Sequence, residues 1–310
     1  VSVALFTHSS CLKHDPGPFH PESPDRLRAV LRALEGPEFA SLDRREAPVA
    51  AAEAIARAHL PGYIDAVLRA EPGPGDRVSL DGDTHMVAGS VEAARRAAGG
   101  AMAAVDAVMD FSARHAFVAV RPPGHHAEAG QAMGFCLFNT VAVAALHARA
   151  RWGLRRIAVI DFDVHHGNGT QAMFWSDPDL FYGSTHQMPC YPGTGAARER
   201  GASGNIVNQP LPPGAVGADY RPALTRVLAE LAAFGPELVI ASAGFDAHRD
   251  DPLAALMLTE DDFAWTAERL IEASGGRLVS VLEGGYDLEA LASSVAAYVR
   301  VLLQRDAADG

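Results

Sequence analysis

Several things are scarce in this 310-residue chain, and each scarcity closes off a class of function. Cysteine occurs three times, at Cys11, Cys136 and Cys190, an odd and small set that does not read as a disulfide framework and fits a reducing compartment. Basic charge is outnumbered, with 26 Lys and Arg against 38 Asp and Glu for a net charge of −12, and Lys13 is the only lysine. Such a surface repels phosphate backbones and anionic lipid, which argues against a nucleic-acid partner. Uninterrupted apolar runs of about 18 residues are absent, and Val1 to Phe6 is too short for a signal-peptide core and has no basic residues before it. The expectation is a cytoplasmic protein with no membrane partner. Internal repeats and low-complexity linkers are lacking too. The strongest breaker, "EPGPGD" (71–76), reads as a turn between helices, so residues 1–310 are expected to form a single domain.

What is present is enough to bury a large core: 48% of residues are hydrophobic and 21% charged. Short β-rich runs, apolar on both faces, lie at 1–6, 117–120, 156–163, 180–184, 237–244 and 276–285. Between them, apolar residues at i, i+3 and i+4 predict helices at 24–35, 52–70, 88–110, 137–151, 218–233, 259–274 and 287–304. Alternation of this kind implies an α/β fold, a parallel sheet covered by helices on both faces. Self-association is left open, and a homo-oligomer is compatible with the composition.

Open parallel sheets bind ligands at the carboxyl ends of their strands, and the ionisable residues gather there. "FVAV" runs into Arg121-Pro-Pro-Gly-His125-His126, and "IAVI" into Asp161-Phe-Asp163-Val-His165-His166. "LVIASAG" runs into Phe245-Asp246-Ala-His248, and "LVSVL" into Glu283-Gly-Gly-Tyr286. If the strand continues, Asp161, Asp163 and His165 share one face, and carboxylates on a buried face repel unless a cation or hydrogen-bond donors sit between them; a metal would supply the cation. Asp163, His165 and Asp246 then leave one position open, as in a catalytic metal site. The bland alternative is that the aspartates cap the next helix and the histidines are satisfied core residues. Two prolines and Gly124 stiffen the turn that carries His125 and His126, which suits a general base and acid, with Asp161 holding the basic ring. Tyr286 follows two glycines and can donate to an oxyanion. Together these parts polarise a carbonyl while a histidine deprotonates a metal-bound water, which is amide hydrolysis. No G-x-S-x-G elbow or Cys-His pair suggests a covalent nucleophile.

"RPPGHHAE", "GFCLFN", "DFDVHHGNGTQ", "AGFDAHRDDPL" and "LEGGYDLEAL", in this order, closely resemble the zinc-dependent histone deacetylase family of the arginase/deacetylase superfamily. The resemblance is to its class II branch and to bacterial histone-deacetylase-like amidohydrolases, and it spans Pro21 to Leu302. It implies the arginase/deacetylase-type fold, a mainly parallel eight-stranded sheet flanked by helices. It also implies zinc on Asp163, His165 and Asp246, catalytic His125, His126 and Tyr286, and Asp161 behind His125. A structural potassium ion would use Asp161, Asp163 and His165, largely through backbone oxygens, with Ser184 and Thr185. Gly134, Phe135, Tyr191 and Leu253 would line an acyl-lysine tunnel. Asn168 stands where class I enzymes carry Asp behind the second histidine, which supports class II and alters the basicity of His126. Tyr191 replaces the usual Phe. Leu253 lies where polyamine-selective relatives place a Glu, which favours acyl-lysine.

The expected function is removal of an acetyl or other acyl group from an acylated amine, chiefly acyl-lysine, by attack of a zinc-bound water. An acetylpolyamine amidohydrolase is the near alternative. A ureohydrolase would need two manganese ions and more bridging aspartates, and a silent acyl-binding module would be favoured by loss of Tyr286 or a loop histidine. Ferrous iron suits the same ligands as zinc. His14 and His20, in "HDPGPFHPESPDR", are left outside the core assignment.

Overall fold

The computed structural model describes residues 3–308, so the start of the first expected strand, Val1 and Ser2, lies outside the described residues. The strands are β1 (Val3–Thr7), β2 (Asp43–Glu46), β3 (Arg77–Ser79), β4 (His85–Val87), β5 (His115–Val118), β6 (Ile157–Asp161), β7 (Leu180–Gln187), β8 (Ile206–Leu211), β9 (Leu238–Ala243) and β10 (Leu278–Leu282). The helices are α1 (Pro24–Ala33), α2 (Ala52–Ile55), α3 (Pro61–Arg69), α4 (Ser90–Met109), α5 (Thr140–Trp152), α6 (Asn168–Phe174), α7 (Gly217–Phe234), α8 (Glu260–Ser274) and α9 (Leu288–Ala308). Eight strands form one sheet in the order β2-β1-β5-β10-β9-β6-β7-β8, and β3 pairs antiparallel with β4. Every pairing in the large sheet is parallel.

The apolar runs become the central strands because both faces are covered. β5, β6, β9 and β10 are buried at every residue. The sheet's own order places β10, β9 and β6 side by side, so the loops that follow them converge at one end of the sheet. α5 is started by Asn139, whose side chain accepts the Ala142 N–H, and stopped by Gly153 in the left-handed region at φ 67°. That cap sets the helix directly behind the His125 turn. No helix among the described residues is long and apolar enough to cross a membrane.

Three expectations are corrected. The helix predicted over 52–70 is two helices: Leu60 is extended at ψ 133° ahead of Pro61, which supplies no N–H to continue the earlier helix. The alternation expected to carry Asp161, Asp163 and His165 on one strand face stops early, because β6 ends at Asp161 and a loop delivers the other two. That same motif also contains α6, which the density of glycine and polar residues concealed.

Beneath the converging loops lies a buried ionic cluster that ties the amino-terminal segment to the sheet. Arg121 donates to both oxygens of Glu22, at 2.5 and 2.6 Å, and Arg26 donates to Oε1 at 2.8 Å. All three side chains have zero solvent exposure. Despite burial, the charges of Arg121 and Arg26 hold the Glu22 carboxyl well below its ordinary value of 4.5. Its stabilising contribution is therefore complete above that value and is lost as pH falls towards the depressed folded-state pKa. Glu22→Gln, by leaving arginine charge uncompensated, should cost about 3–5 kcal/mol near neutrality in urea unfolding. The gap from wild type should narrow below about pH 4.5. A gap that did not change with pH would contradict this reading.

Candidate active site and metal centre

The His125-His126 turn is pinned from β10. Glu283 Oε2 accepts the Gly124 and His125 N–H groups at 2.6 and 3.2 Å, while Oε1 accepts the Ser242 hydroxyl at 3.1 Å. Burial pushes the Glu283 pKa up to about 7. His125 Nδ1 meets Asp161 Oδ2 at 3.0 Å, and the Tyr182 hydroxyl donates to the same oxygen at 3.0 Å. Burial alone would lower the His125 pKa, but the charges of Asp161, Asp163 and Glu283 push it up to about 10.

His126 is in the opposite condition. Its Nδ1 lies 2.9 Å from Asn168 Oδ1, and Asn168 Nδ2 donates to Glu128 Oε1 at 3.0 Å. With the amide oriented this way, Nδ1 must carry the proton, so Nε2 keeps a lone pair. Burial, with the charges of His125 and His165 beside it, pushes the His126 pKa well below 6.5. Two rings tilted by 45°, with centroids 4.0 Å apart, thus have their pKa values pushed in opposite directions.

Asp163, His165 and Asp246 come together as expected, with ligand atoms all within 4.8 Å of one another and all three residues buried. His165 Nδ1 lies 3.1 Å from Asp163 Oδ1 and 3.1 Å from Asp246 Oδ2. Backbone N–H groups orient the carboxylates: Gly284 donates to Asp163 Oδ2 at 2.8 Å, and Val164 to Asp246 Oδ1 at 2.9 Å. Gly284 is required there, because a Cβ would collide with Asp246 Oδ2. Burial, then the neighbouring Asp163 charge, pushes the Asp246 pKa up to about 7. Two oxygens and one nitrogen, all preoriented, fit a divalent cation.

Above the cluster opens a cavity of about 200 Å³, and it is lined by Gly134, Phe135, Tyr191 and Leu253, together with His126, His165 and Tyr286. Gly134 sits at φ +56°, and a side chain there would strike the His126 ring. The Tyr286 ring lies 5.8 Å from Phe135 between centroids, with the Arg26 guanidinium 4.8 Å above it. Burial raises the Tyr286 pKa well above its ordinary value, so the phenol keeps its proton. Asp83 also lines the cavity. It escaped the sequence reading, although "DGDT" beside a Gly/Pro-rich turn signals a loop whose acidic side chains are free to face a site.

Ser184 pairs with Asp161 across β6 and β7, next to the buried Thr185, so these residues adjoin the Asp161 side of the cluster. Of the two amino-terminal histidines, His20 reaches the cavity wall, 4.9 Å from the Phe135 ring, with Nε2 3.1 Å from Asp83 O. His14 is buried against Ser90 and Glu22 instead. His248 stays out of the ligand cluster, with its Nε2 3.5 Å from Glu260. The Cys136 thiol is buried and donates to Gly134 O.

The profile of the histone deacetylase domain matches residues 20–302. The chain belongs to the histone deacetylase family. It is 40% identical to the histone deacetylase-like amidohydrolase of Pseudomonas aeruginosa, over 92% of this chain and 81% of that one. It is 42% identical to a probable deacetylase of Methanothermobacter thermautotrophicus, over 91% of this chain and 86% of that one. The chain superposes on the crystal structure of the HDA15 HD domain with a TM-score of 0.93 and 36% identity, covering 98% of this chain and 88% of that one. The expected eight-stranded α/β fold stands, as does the expected placement among the deacetylase and amidohydrolase enzymes.

Burial and the charges of His125 and His165 keep His126 neutral, and Asn168, being uncharged, adds no negative charge to oppose them. Asn168→Asp should raise the His126 pKa by adding negative charge at Nδ1. Ring titration followed by NMR reads this directly, and an unchanged titration would detach Asn168 from that role.

Proposed function

We propose that this member of the family removes an acetyl or other short acyl group from an acylated amine, with acyl-lysine the main substrate. One observation carries the reading: a neutral histidine with a free lone pair faces the same cavity as a buried two-carboxylate, one-imidazole cluster. Zinc held by Asp163, His165 and Asp246 would supply Lewis acidity to the carbonyl and to water, and ferrous iron suits the same donors.

The protein's own groups account for the proton movements. His126 Nε2 is free to take a proton from the attacking water, and the ring, once charged, can return it to the departing amine. His125, paired with Asp161 at 3.0 Å and, despite burial, pushed up in pKa by the carboxylates around it, is suited to contribute positive charge beside the developing oxyanion. In this proposal the roles differ from the sequence expectation, in which the carboxylate-held ring was the base. The Tyr286 phenol, kept neutral, donates a hydrogen bond to the same oxyanion. Phe135 and Tyr191 form the walls that an aliphatic amine stem would pass. Ser184 and Thr185, with backbone oxygens of Asp161, Asp163 and His165, are proposed as a structural potassium site.

A second reading, acetylpolyamine hydrolysis, draws on Asp83, whose carboxylate lines the cavity and would attract a second amine charge. Leu253 weighs the other way, offering an apolar contact at the mouth where a cationic chain gains nothing.

The deciding experiment is hydrolysis of acetyl-lysine peptides, longer acyl-lysines and acetylated polyamines by metal-stripped protein reloaded with zinc or ferrous iron. Acyl-lysine turnover restored by metal is expected, and Tyr286→Phe should lower kcat roughly 10²–10³-fold while metal content is retained. Preference for polyamines would promote the second reading. Metal binding without turnover of any substrate would contradict hydrolysis.

A further inference from the structure

Leu253 and Tyr286 belong to different loops, one after β9 and one after β10, yet a single carboxylate holds both. Asp251 is buried. Its Oδ1 accepts the Leu253 N–H at 3.0 Å, and its Oδ2 accepts the Tyr286 N–H at 2.7 Å. The Asp287 N–H approaches the same Oδ2 at 3.4 Å. The Asp251 N–H closes onto His248 O at 3.0 Å, which fixes the carboxylate to the turn just after Asp246.

These bonds are not the cap of the following helix. Asp287 serves that purpose: its Oδ1 accepts the Glu289 and Ala290 N–H groups at 3.1 and 2.9 Å, in the first turn of α9. Asp251 acts on the residues ahead of the helix, where the backbone delivers the phenol. From the other side, Arg26 donates to Glu283 O and Gly285 O, both at 2.5 Å. The Gly284-Gly285-Tyr286 segment has little conformational preference of its own, since Gly285 sits at φ 127°. Its path is set by these external bonds.

We propose that Asp251 is a positioning residue whose carboxylate sets the Tyr286 phenol and the Leu253 mouth as one unit, so that one group tunes both turnover and the choice of amine. The proposal rests on the functional reading above. Its chemistry is simple: one carboxylate oxygen serves the Leu253 loop and the other the Tyr286 loop, and an asparagine of the same shape has only one acceptor oxygen. Asp251→Asn must therefore release either the phenol or the mouth, and a misplacement of about 1 Å at a reacting group is worth on the order of 100-fold in rate.

The test is a double-mutant cycle in the zinc-loaded enzyme, with an acetyl-lysine peptide and an acetylated diamine as substrates. Asp251→Asn should lower kcat by about tenfold or more with a smaller change in KM and no loss of zinc by elemental analysis. In the Tyr286→Phe background the same substitution should cost less than about twofold, because the group it positions is already disabled. The ratio of kcat/KM between the two substrates should move towards unity. Equal losses in both backgrounds, or loss of zinc along with activity, would overturn the proposal, and unchanged selectivity would remove the Leu253 half of it. Should Asp251→Asn not fold, Asp251→Glu, which keeps both acceptors on a longer stem, enters the same cycle with the same expectations. A wild type that turns over neither substrate would overturn the functional reading itself. An active wild type with additive losses would overturn only the role of Asp251.

Discussion

The repulsion between Asp163 and Asp246 is the constraint around which this end of the molecule is arranged. Two carboxylates are held against one imidazole nitrogen, inside a protein, at the ends of the neighbouring strands β6 and β9. Burial penalises both charges, and neither faces an arginine or lysine within hydrogen-bonding distance among the described residues. Such a pair persists only if protonation or a bound cation relieves it. The surrounding backbone is committed to the ionised form: N–H groups from Val164, His165 and Gly284 point at the carboxylate oxygens. Without a metal, a proton on His165 relieves the pair, since, despite burial, the two carboxylates push its pKa well above the ordinary value; a divalent cation would take that proton's place.

From that constraint the neighbouring ionisation states follow. Asp161, one layer further from the cavity, holds His125 in its charged form, while Asn168, neutral, leaves His126 uncharged. Carboxylate charge around one ring, against burial and neighbouring imidazoles around the other, thus pushes two adjacent histidines in opposite directions. The outer wall is mixed: Phe135 and Tyr191 are aromatic, and Leu253 and Asp83 present opposite characters; in the proposed function it would be the part that selects the amine. The buried Glu22, Arg26 and Arg121 cluster connects this front to the body, because Arg26 spans from Glu22 to the backbone beneath Tyr286.

The ligand residues were legible because each closes an apolar run, and a run buried on both faces cannot end in several ionisable residues without a reason. The central strands β6, β9 and β10 were legible on the same ground. The edges were not: β2 reads Asp-Arg-Arg-Glu, with no apolar signal, and β8 carries Pro210. Strand alternation does not carry Asp163 and His165 into place, because β6 ends at Asp161 and the loop after it delivers them. Asp83 and Asp251 stayed hidden for a different reason. Each acts through a loop conformation that no periodicity encodes, and only the folded chain reveals which N–H groups or cavity it faces.

The central claim is that Asp163, His165 and Asp246 form a metal site, and the most direct test is anomalous diffraction at the zinc edge from crystals of zinc-loaded protein. The account expects one strong peak within bonding distance of Asp163, His165 Nδ1 and Asp246, absent from crystals of Asp246→Ala. A peak elsewhere with this cluster empty, or a cluster bridged by a proton alone in the active enzyme, would contradict it.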